Sequence, residues 1–230
     1  MKKAFTMMEL IFVLVVAGIL AAVIMPRMER DPLREAGIQL LSHIRYTQHL
    51  AMVDDKYNVA DTNWYRNRWQ IMFEKGIHTG GTESYTIFAD TAGGSTGNAD
   101  VNEIAYNPTN KAKRLTGGTD GIPYSDDRAT LSMNLGKKYG IDDLKVTGGT
   151  SSTAQRILFD NLGRPYNIGA TSISPQDGVA TNAVFVKMCS ETCSGANDKA
   201  TNDKELVIRI EYETGYPCIL EVNSNNTCIE

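Results

Sequence analysis

The sequence has no cysteine before position 189, only three histidines, and none of the short motifs that usually mark an active site. Gly-x-Ser-x-Gly, His-Glu-x-x-His, a phosphate-binding glycine loop and a dinucleotide fingerprint are all missing. His43 and His49 are spaced so that they would not share one face of a helix. The glycine-rich segment GGSTGNAD lacks the Lys-Ser/Thr that a phosphate loop requires. We therefore expect that the protein is not an enzyme.

The sequence also has little excess of one charge sign, because 27 acidic and 23 basic residues give a formal net charge of −4 over 230 residues. This slight acidity argues against a protein whose main role is to bind nucleic-acid phosphates, although a local basic patch could still bind them. No collagen-like, disordered or repetitive composition is present. The 42% of hydrophobic residues is enough for one globular domain with a core.

What the chain does have is a long apolar segment at its start, without a charge from residue 10 to residue 25. With residues 5–8 it gives about 21 helical positions, enough to span a hydrocarbon core of ~30 Å. Lys2 and Lys3 precede it and would stay cytoplasmic under the positive-inside rule. Glu9 interrupts its beginning, which needs an explanation because a carboxylate in lipid is unfavourable.

Three interpretations of this segment are open. A cleaved secretory signal needs a small-residue site after the apolar run, and the run ends in Ile24-Met25-Pro26-Arg27. A plain uncleaved anchor leaves Glu9 without a purpose. A cut after Ala4 would make Phe5 the new N-terminus, and the α-amino group of Phe5 in another copy could then pair with Glu9.

The stretch KAFTMME, followed by an apolar run ending in Met25-Pro26, resembles the class III signal of type IV pilins and type II secretion pseudopilins. The resemblance implies that a prepilin peptidase cleaves between Ala4 and Phe5 and methylates Phe5, and that Glu9 guides assembly into a filament. Two positions depart from the pattern: Ala4 stands where Gly is usual, and Met7-Met8 replaces the usual Leu-Ile.

The resemblance also implies a domain plan and a set of partners. Residues 1–4 form a leader peptide, residues 5–30 a transmembrane and filament-core helix, and residues 31–230 a periplasmic globular domain. The expected location is the inner membrane of a Gram-negative-type envelope, single-pass, before assembly into a periplasmic or surface filament. The expected partners are the prepilin peptidase, other pilin or pseudopilin subunits in a homo- or hetero-polymer, and an inner-membrane assembly platform.

The helical part of the sequence continues beyond the apolar run. Pro26 predicts a kink, and Asp31-Pro32 predicts a new helix start with Asp31 as N-cap. Beyond it, apolar and small residues recur at steps of three and four and predict an amphipathic helix over residues 32–53. The predicted buried positions are Leu33, Ala36, Gly37, Leu40, Leu41, Ile44, Thr47 and Ala51.

The remaining residues alternate between short apolar strands and polar loops. Strands are predicted at residues 69–73, 84–89, 156–159, 183–188, 206–212 and 218–222, with a hairpin between the first two and a tight turn at Thr214-Gly215. Residues 93–102 and 148–154 are predicted loops. The predicted fold class is therefore α+β, in which a long N-terminal helix packs on an antiparallel β-sheet, as in pilins.

Two local patterns resemble a subgroup, the H-type minor pseudopilins and their pilus counterparts. RYTQHLAMVDDKYN followed by RWQIMF is similar to their helix end and first strand, and ILFDNLGRPYNI is similar to a turn of that group. In this turn Gly163 would supply a positive φ and Pro165 would stop ladder pairing.

The four cysteines, Cys189, Cys193, Cys218 and Cys228, all lie in the last part of the chain. Their even number and late clustering predict disulfides in an oxidising compartment, and the expected pairs are 189–193 and 218–228. Other pairings and a four-thiolate zinc site are the alternatives. Asp198 and Asp203 lie in a polar loop that is a weak calcium candidate, because some major pseudopilins hold calcium in a C-terminal loop. We expect no other cofactor.

A role in binding nucleic acid is a further alternative, because some minor pilins of the resembled group bind DNA for uptake. Arginines and aromatics alternate near Arg66, and a second basic run follows later, so that single-strand stacking is conceivable. The candidate contacts are Arg66, Arg68, Trp69, Lys111, Lys113 and Arg114. The function expected first is a filament subunit, and the alternatives are this DNA-binding minor pilin or a membrane-anchored periplasmic binding domain.

Overall fold

The computed structural model describes residues 6–24, 31–91, 97–149, 155–166 and 174–229. The chain divides into two compact units, Met1–Asp31 and Pro32–Glu230. Ala4, Phe5 and Pro26, and with them the predicted cleavage site and the predicted kink, lie outside the described residues.

The first unit contains helix α1, Met7–Ile24. Apolar residues surround its axis, so α1 has no polar face; Glu9 in the first turn is its only charged residue. Eleven large apolar side chains between Met7 and Leu20 are 40% to 84% exposed. These apolar side chains are therefore largely open to solvent.

The location predicted for the protein is not supported by this helix. The 18 residues of α1 extend for about 27 Å, shorter than the ~30 Å of a hydrocarbon core. Among the described residues, no helix combines the length and the apolar character that crossing a membrane requires. The prediction of a single-pass inner-membrane protein is therefore wrong.

The second unit begins with helix α2, Pro32–Val53. Its eight buried residues are the eight that the apolar spacing predicted, from Leu33 to Ala51. One of them, Gly37, packs closely on β9, and a Cβ at that position would lie 2.6 Å from Cδ1 of Leu206, so the leucine side chain would have to move. The amphipathic pattern is thus confirmed as the contact face of the helix.

In the described part of the chain, ten strands form three antiparallel sheets. The first sheet has the order β2-β1-β6-β7, and the second has the order β10-β9-β8-β5. The strands of the first sheet are β1 (Trp69–Glu74), β2 (Ser84–Ala89), β6 (Arg156–Phe159) and β7 (Pro165–Tyr166). Those of the second are β5 (Asp143–Gly148), β8 (Val184–Cys189), β9 (Glu205–Ile210) and β10 (Pro217–Ile219).

The third sheet is the hairpin of β3 (Tyr106–Asn107) and β4 (Asn110–Arg114). A short helix α3, Leu135–Tyr139, and two 3₁₀ helices, Trp64–Asn67 and Leu131–Met133, complete the described elements. Asn134 caps α3 by accepting a hydrogen bond from the Lys137 N–H, and Gly140 ends it in the left-handed conformation.

The core lies where α2 meets the first two sheets. Leu40 and Ile44 of α2 are fully buried together with Ile71 and Ile87 of the first sheet and Ile208 of the second. A smaller apolar cluster around Phe88 and Ile104 covers the opposite face of the first sheet. The first and the second sheet therefore each pack one face against α2.

The predicted fold class needs correction. We expected one long N-terminal helix packed on one antiparallel sheet, but the described chain has three helices of 18, 22 and 5 residues and three antiparallel sheets. Helix α2 contacts strands of the first and the second sheet, and the short helix α3 contacts β2. The physical reason lies at Asp31, which is not helical: the residue before a proline is disfavoured in the helical region, so Pro32 starts a separate helix.

Candidate functional site

The start of α1 is the first candidate site, because it carries Glu9. Thr6 directly precedes the helix, and its Oγ1 accepts a hydrogen bond from the backbone N–H of Glu9 at 3.3 Å. The carbonyl of Thr6 accepts from the N–H groups of Glu9 and Leu10 at 3.1 and 3.2 Å. Glu9 makes no ion pair with another described residue. Its carboxylate therefore sits at the first turn of an apolar helix whose surface is open.

The residues predicted to contact nucleic acid lie in separate parts of the protein, and most of them are engaged in contacts with other residues of the chain. Arg68 is only 7% exposed, its Cζ lies 4.2 Å from the ring centroid of Tyr166, and its Nη2 donates to the carbonyl of Pro175 at 3.1 Å. Burial lowers the pKa of Arg68. The ring of Trp69 is covered by Lys56 at 5.3 Å, and its Nε1 donates to Asp54 at 2.9 Å. These two side chains are therefore engaged in contacts within the protein.

The second basic run lies on the β3–β4 hairpin. Lys113 donates to the carbonyls of Asp127 and Ala129 at 3.1 and 2.8 Å. Arg114 stacks on Tyr106 with its Cζ 3.6 Å from the ring centroid. Lys111 is exposed on the same strand, whereas Arg66 lies on the 3₁₀ helix before β1 with its Cζ 5.9 Å from the ring centroid of Tyr65. The six predicted residues thus belong to two different parts of the body.

The cysteine prediction is confirmed. Cys189–Cys193 and Cys218–Cys228 are disulfides, and all four cysteines are therefore paired. The alternatives of other pairings and of a zinc site with four thiolates are excluded by this pairing.

The loop between β8 and β9, predicted as a weak calcium candidate, is organised around a lysine. The Nζ of Lys187 donates to the carbonyls of Ser194 and Ala196 at 2.7 and 3.0 Å and lies 3.0 Å from Oε2 of Glu205. Asp198 instead accepts from Asn225 at 3.4 Å. Among the described residues, no group of three or more His, Cys, Asp or Glu is placed to hold a metal.

Sequence reasoning did not single out Lys187 and Glu205. Their side chains are 0% and 3% exposed. Burial opposes ionisation of Glu205, but hydrogen bonds from the N–H and hydroxyl of Thr201 and from Lys187 outweigh it and lower the pKa of Glu205 to about 2. The available signal was a lysine in the middle of the apolar strand sequence VFVKMC, which requires either an exposed edge or a buried partner.

The turn in FDNLGRP is a tightly bonded unit. Asp160 is 3% exposed and accepts from the backbone N–H groups of Leu162 and Arg164 at 3.0 and 2.8 Å. Arg164 also pairs with it through its guanidinium at 2.8 Å. Gly163 has the positive φ that was predicted, +81°. The prediction for Pro165 was wrong, because it begins β7, an edge strand in which a missing N–H is tolerated.

A cleft of about 570 Å³ opens beside β1. Met72 and Glu74 line it together with residues 98–101 and 119–121. Oε2 of Glu74 is buried without a hydrogen-bond partner, and burial raises the pKa of this carboxyl. The described lining contains no histidine, cysteine or cation, and its polar side chains are those of Glu74, Asn98, Asp100, Thr119 and Asp120.

No protein-family profile, curated protein or solved structure matches this chain.

Proposed function

We propose that the protein is a structural subunit of a type IV pilus or of a type II secretion pseudopilus. In this proposal a prepilin peptidase cleaves before Phe5, and the subunit joins a filament through Glu9 and the new N-terminus. The observation that carries the proposal is α1, an apolar helix with a single carboxylate in its first turn and eleven exposed large apolar side chains.

The exposed apolar side chains of α1 would be stabilised by contact with a partner. Burying one Val, Leu, Ile, Phe or Met side chain contributes about 1.5–3 kcal/mol. Eleven such side chains that are 40–84% exposed therefore constitute a large driving force for association. A helix that is apolar on all sides is surrounded by partners in its functional state.

The partner that fits is α1 of further copies. Gly18 has nothing within 4 Å of a Cβ built on it, so a second helix can approach this point closely. A carboxylate enclosed by such helices needs a cation with hydrogen-bonding protons. The α-amino group of Phe5 in the next copy is of that kind, and Glu9, in the first turn of α1, follows Phe5 by four positions in the sequence.

The geometry of this pairing leads to a filament. The amino group of one copy meets the carboxylate of another, so the contact joins two different patches and is heterologous. Heterologous contacts that do not close into a ring generate an open helical polymer. In such a polymer, Glu9 is the one charged residue of α1 that directs assembly.

The test compares the full-length wild type with Glu9→Gln in cells that have a prepilin peptidase and the matching assembly machine. Wild type should lose Met1 to Ala4, gain a methyl group on Phe5 and appear in the sheared filament fraction. Glu9→Gln should be processed but absent from filaments, because a neutral amide does not pair with the amine.

The matched control is Glu35→Gln, which makes the same chemical change at an exposed position in the first turn of α2. It should enter filaments as wild type does. Intact and N-terminal peptide masses report the processing, and immunoblots of sheared filaments report the assembly. An N-terminus left uncut by the peptidase, or Glu9→Gln in filaments at the wild-type level, would refute the proposal.

A further inference from the structure

The hairpin of β3 and β4 carries a lysine on an exposed tip. Residues 108–112, which form this tip, are all exposed. The tip is held in shape by a side chain of its own, because Oδ1 of Asn107 accepts from the N–H and the hydroxyl of Thr109 at 2.9 and 2.7 Å. Lys111 makes no ion pair with another described residue. The hairpin therefore presents one ammonium group to its surroundings.

The other two cations of the hairpin fix its base to the rest of the second unit. Lys113 donates to the carbonyl of Ala129 at 2.8 Å, and Arg114 donates to that of Ile104 at 2.7 Å. Lys111 is not among the described residues that line the cleft beside β1. The exposed lysine and the cleft are thus two separate surfaces of one copy.

The cleft has the opposite charge. Its described lining contains the carboxylates of Glu74, Asp100 and Asp120 and no cation. Asp100 is exposed and has no ion pair with any described residue. The side chain of Asp120 is 89% exposed, and Nε2 of His78 lies 3.8 Å from its Oδ1. Two accessible carboxylates therefore lie in different segments of the lining.

The interior of the cleft suits the rest of a lysine side chain. Met72, Ala99 and Val101 supply apolar surface for its methylene groups. Oε2 of Glu74 is buried without a hydrogen-bond partner, and burial, followed by the charge of Asp120, raises the pKa of Glu74. The volume of about 570 Å³ lies within the range of ~300–1,000 Å³ that is usual for binding sites. A long aliphatic cation matches the charge and the polarity of this cleft.

We infer that the β3–β4 hairpin of one copy docks at this cleft of a second copy, with Lys111 between Asp100 and Asp120. Charge complementarity selects this occupant, because the same chain carries an exposed cation on a fixed tip and an anionic cleft without a cation. The two surfaces differ, so the contact is heterologous. This inference goes beyond the proposed function, which rests on α1.

Carbodiimide cross-linking of the full-length protein tests the contact, because this reagent joins an ammonium and a carboxylate that touch each other. Two copies with different tags are produced in the same cells, which are then permeabilised and treated. The product that contains both tags should hold an amide bond between Lys111 and Asp100 or Asp120, identified by mass spectrometry. The control is Lys138, an exposed lysine on α3, which should give no such bond. Salt at about 1 M, where the screening length is ~3 Å, should lower the yield of the Lys111 product.

A pair of variants tests which two surfaces meet. Lys111→Gln removes the ammonium, and Asp100→Asn with Asp120→Asn removes two carboxylates; all three positions are exposed, and circular dichroism checks the fold. Either variant in both tagged copies should remove the Lys111 product. One copy with Lys111→Gln and one with the two Asn substitutions should restore about half of it, because one of the two heterologous combinations is intact.

The results separate this inference from the proposed function. The inference is refuted if the mixed pair gives no product, if Lys111 is linked only within one copy or to a different protein, or if Lys138 is linked equally well. A Lys111 product between copies that never enter filaments would support the inference and count against the proposed function. Filaments that form without any Lys111 product would refute the inference and leave the proposed function intact.

Discussion

Lys187 is a charged residue in the interior of the second sheet, and its partners determine whether that is tolerable. Its ammonium has two carbonyl acceptors and the carboxylate of Glu205, so each of its three protons has a partner. Glu205 in turn accepts from Thr201 and Ser194. Because both charges are hydrogen-bonded as well as paired, the loop that joins β8 to β9 is held by a complete network.

The substitution Lys187→Met should lower the free energy of unfolding by about 3–5 kcal/mol, because it leaves the carboxylate of Glu205 buried without its cation. Urea unfolding followed by circular dichroism measures the change. The control is Lys204→Met, which breaks the ion pair with Glu191, whose two side chains are 56% and 66% exposed. That pair is open to solvent and should contribute little. Similar losses for the two variants would contradict the assignment of a buried pair.

On the scale of elements, Gln48 of α2 joins turns from two sheets. Its Nε2 donates to the carbonyl of Gly163 in the β6–β7 turn and to that of Thr214 in the β9–β10 turn, both at 2.9 Å. The turns are in close contact, since a Cβ on Gly215 would overlap the carbonyl oxygen of Gly163. One helical side chain therefore links the edges of the two sheets.

Gln48→Ala should destabilise the protein by about 1–2 kcal/mol, because two carbonyl groups lose a donor. Gly215→Ala should cost more, since its φ is +69° and the added Cβ has no space. The control is His49→Ala at the adjacent, exposed position of the same helix, which should change the unfolding midpoint little. If Gln48→Ala matched this control in thermal unfolding, the link between the turns would be of no energetic importance.

The elements that the sequence predicted are those with a local signal. The apolar spacing of α2 and the apolar and aromatic composition of β1 and β2 depend on neighbouring residues only, and these elements were predicted. The strand β4 was missed because NKAKR carries almost no apolar residue, and the packing of β1 against β6 joins residues such as Ile71 and Ile157 that are distant in sequence. The division into two sheets is set by such distant pairings, which one sequence does not reveal.

The candidate site residues were also predicted correctly only where their partners are close in sequence. The disulfide pairs were predicted because their partners are close in sequence. Arg68 was predicted as a surface contact because its partner, Tyr166, lies on another strand and the stacking is invisible in the sequence. The N-cap role of Thr6 could have been read from Thr-x-x-Glu, since this spacing needs no tertiary information.

On the scale of the whole molecule, a buried polar network under α2 makes stability depend on pH. Gln39 Nε2 donates to the hydroxyl of Tyr85 at 2.9 Å, and this hydroxyl lies 2.7 Å from Nδ1 of His43. The direction of the Tyr85–His43 hydrogen bond depends on the tautomer of His43, and a neutral His43 can accept the Tyr85 proton at Nδ1. Burial lowers the pKa of His43 from 6.5 to about 4.

The sign of the pH effect follows from this shift. Between pH 6.5 and 4 the unfolded chain binds a proton at His43 that the folded chain does not, so the free energy of unfolding falls as the pH is lowered through this window. The loss should approach roughly 3 kcal/mol at the lower end. The buried carboxyls of Glu74, Glu83 and Asp90 have raised pKa values and act in the opposite direction, so a variant must be compared with wild type at each pH.

His43→Gln keeps an acceptor for Tyr85 but does not titrate, so the difference in stability between this variant and wild type should shift in favour of the variant as the pH falls from 6.5 to 4. Urea unfolding at a series of pH values measures the difference. His78→Gln is the control, because the side chain of His78 is 39% exposed. A difference between His43→Gln and wild type that stays constant across the window would show that His43 is not held neutral by the fold.

The two disulfides have a consequence for how the chain matures. Cys189–Cys193 and Cys218–Cys228 are separated by only 4 and 10 residues. Of the three ways to pair four cysteines, this one closes the shortest loops and so has the smallest entropic barrier. During synthesis Cys189 and Cys193 are both present before Cys218 appears, and once they have paired only Cys218 and Cys228 remain. Oxidation in order of appearance therefore leads directly to the native pairing, and maturation needs an oxidant but no isomerase to reshuffle bonds.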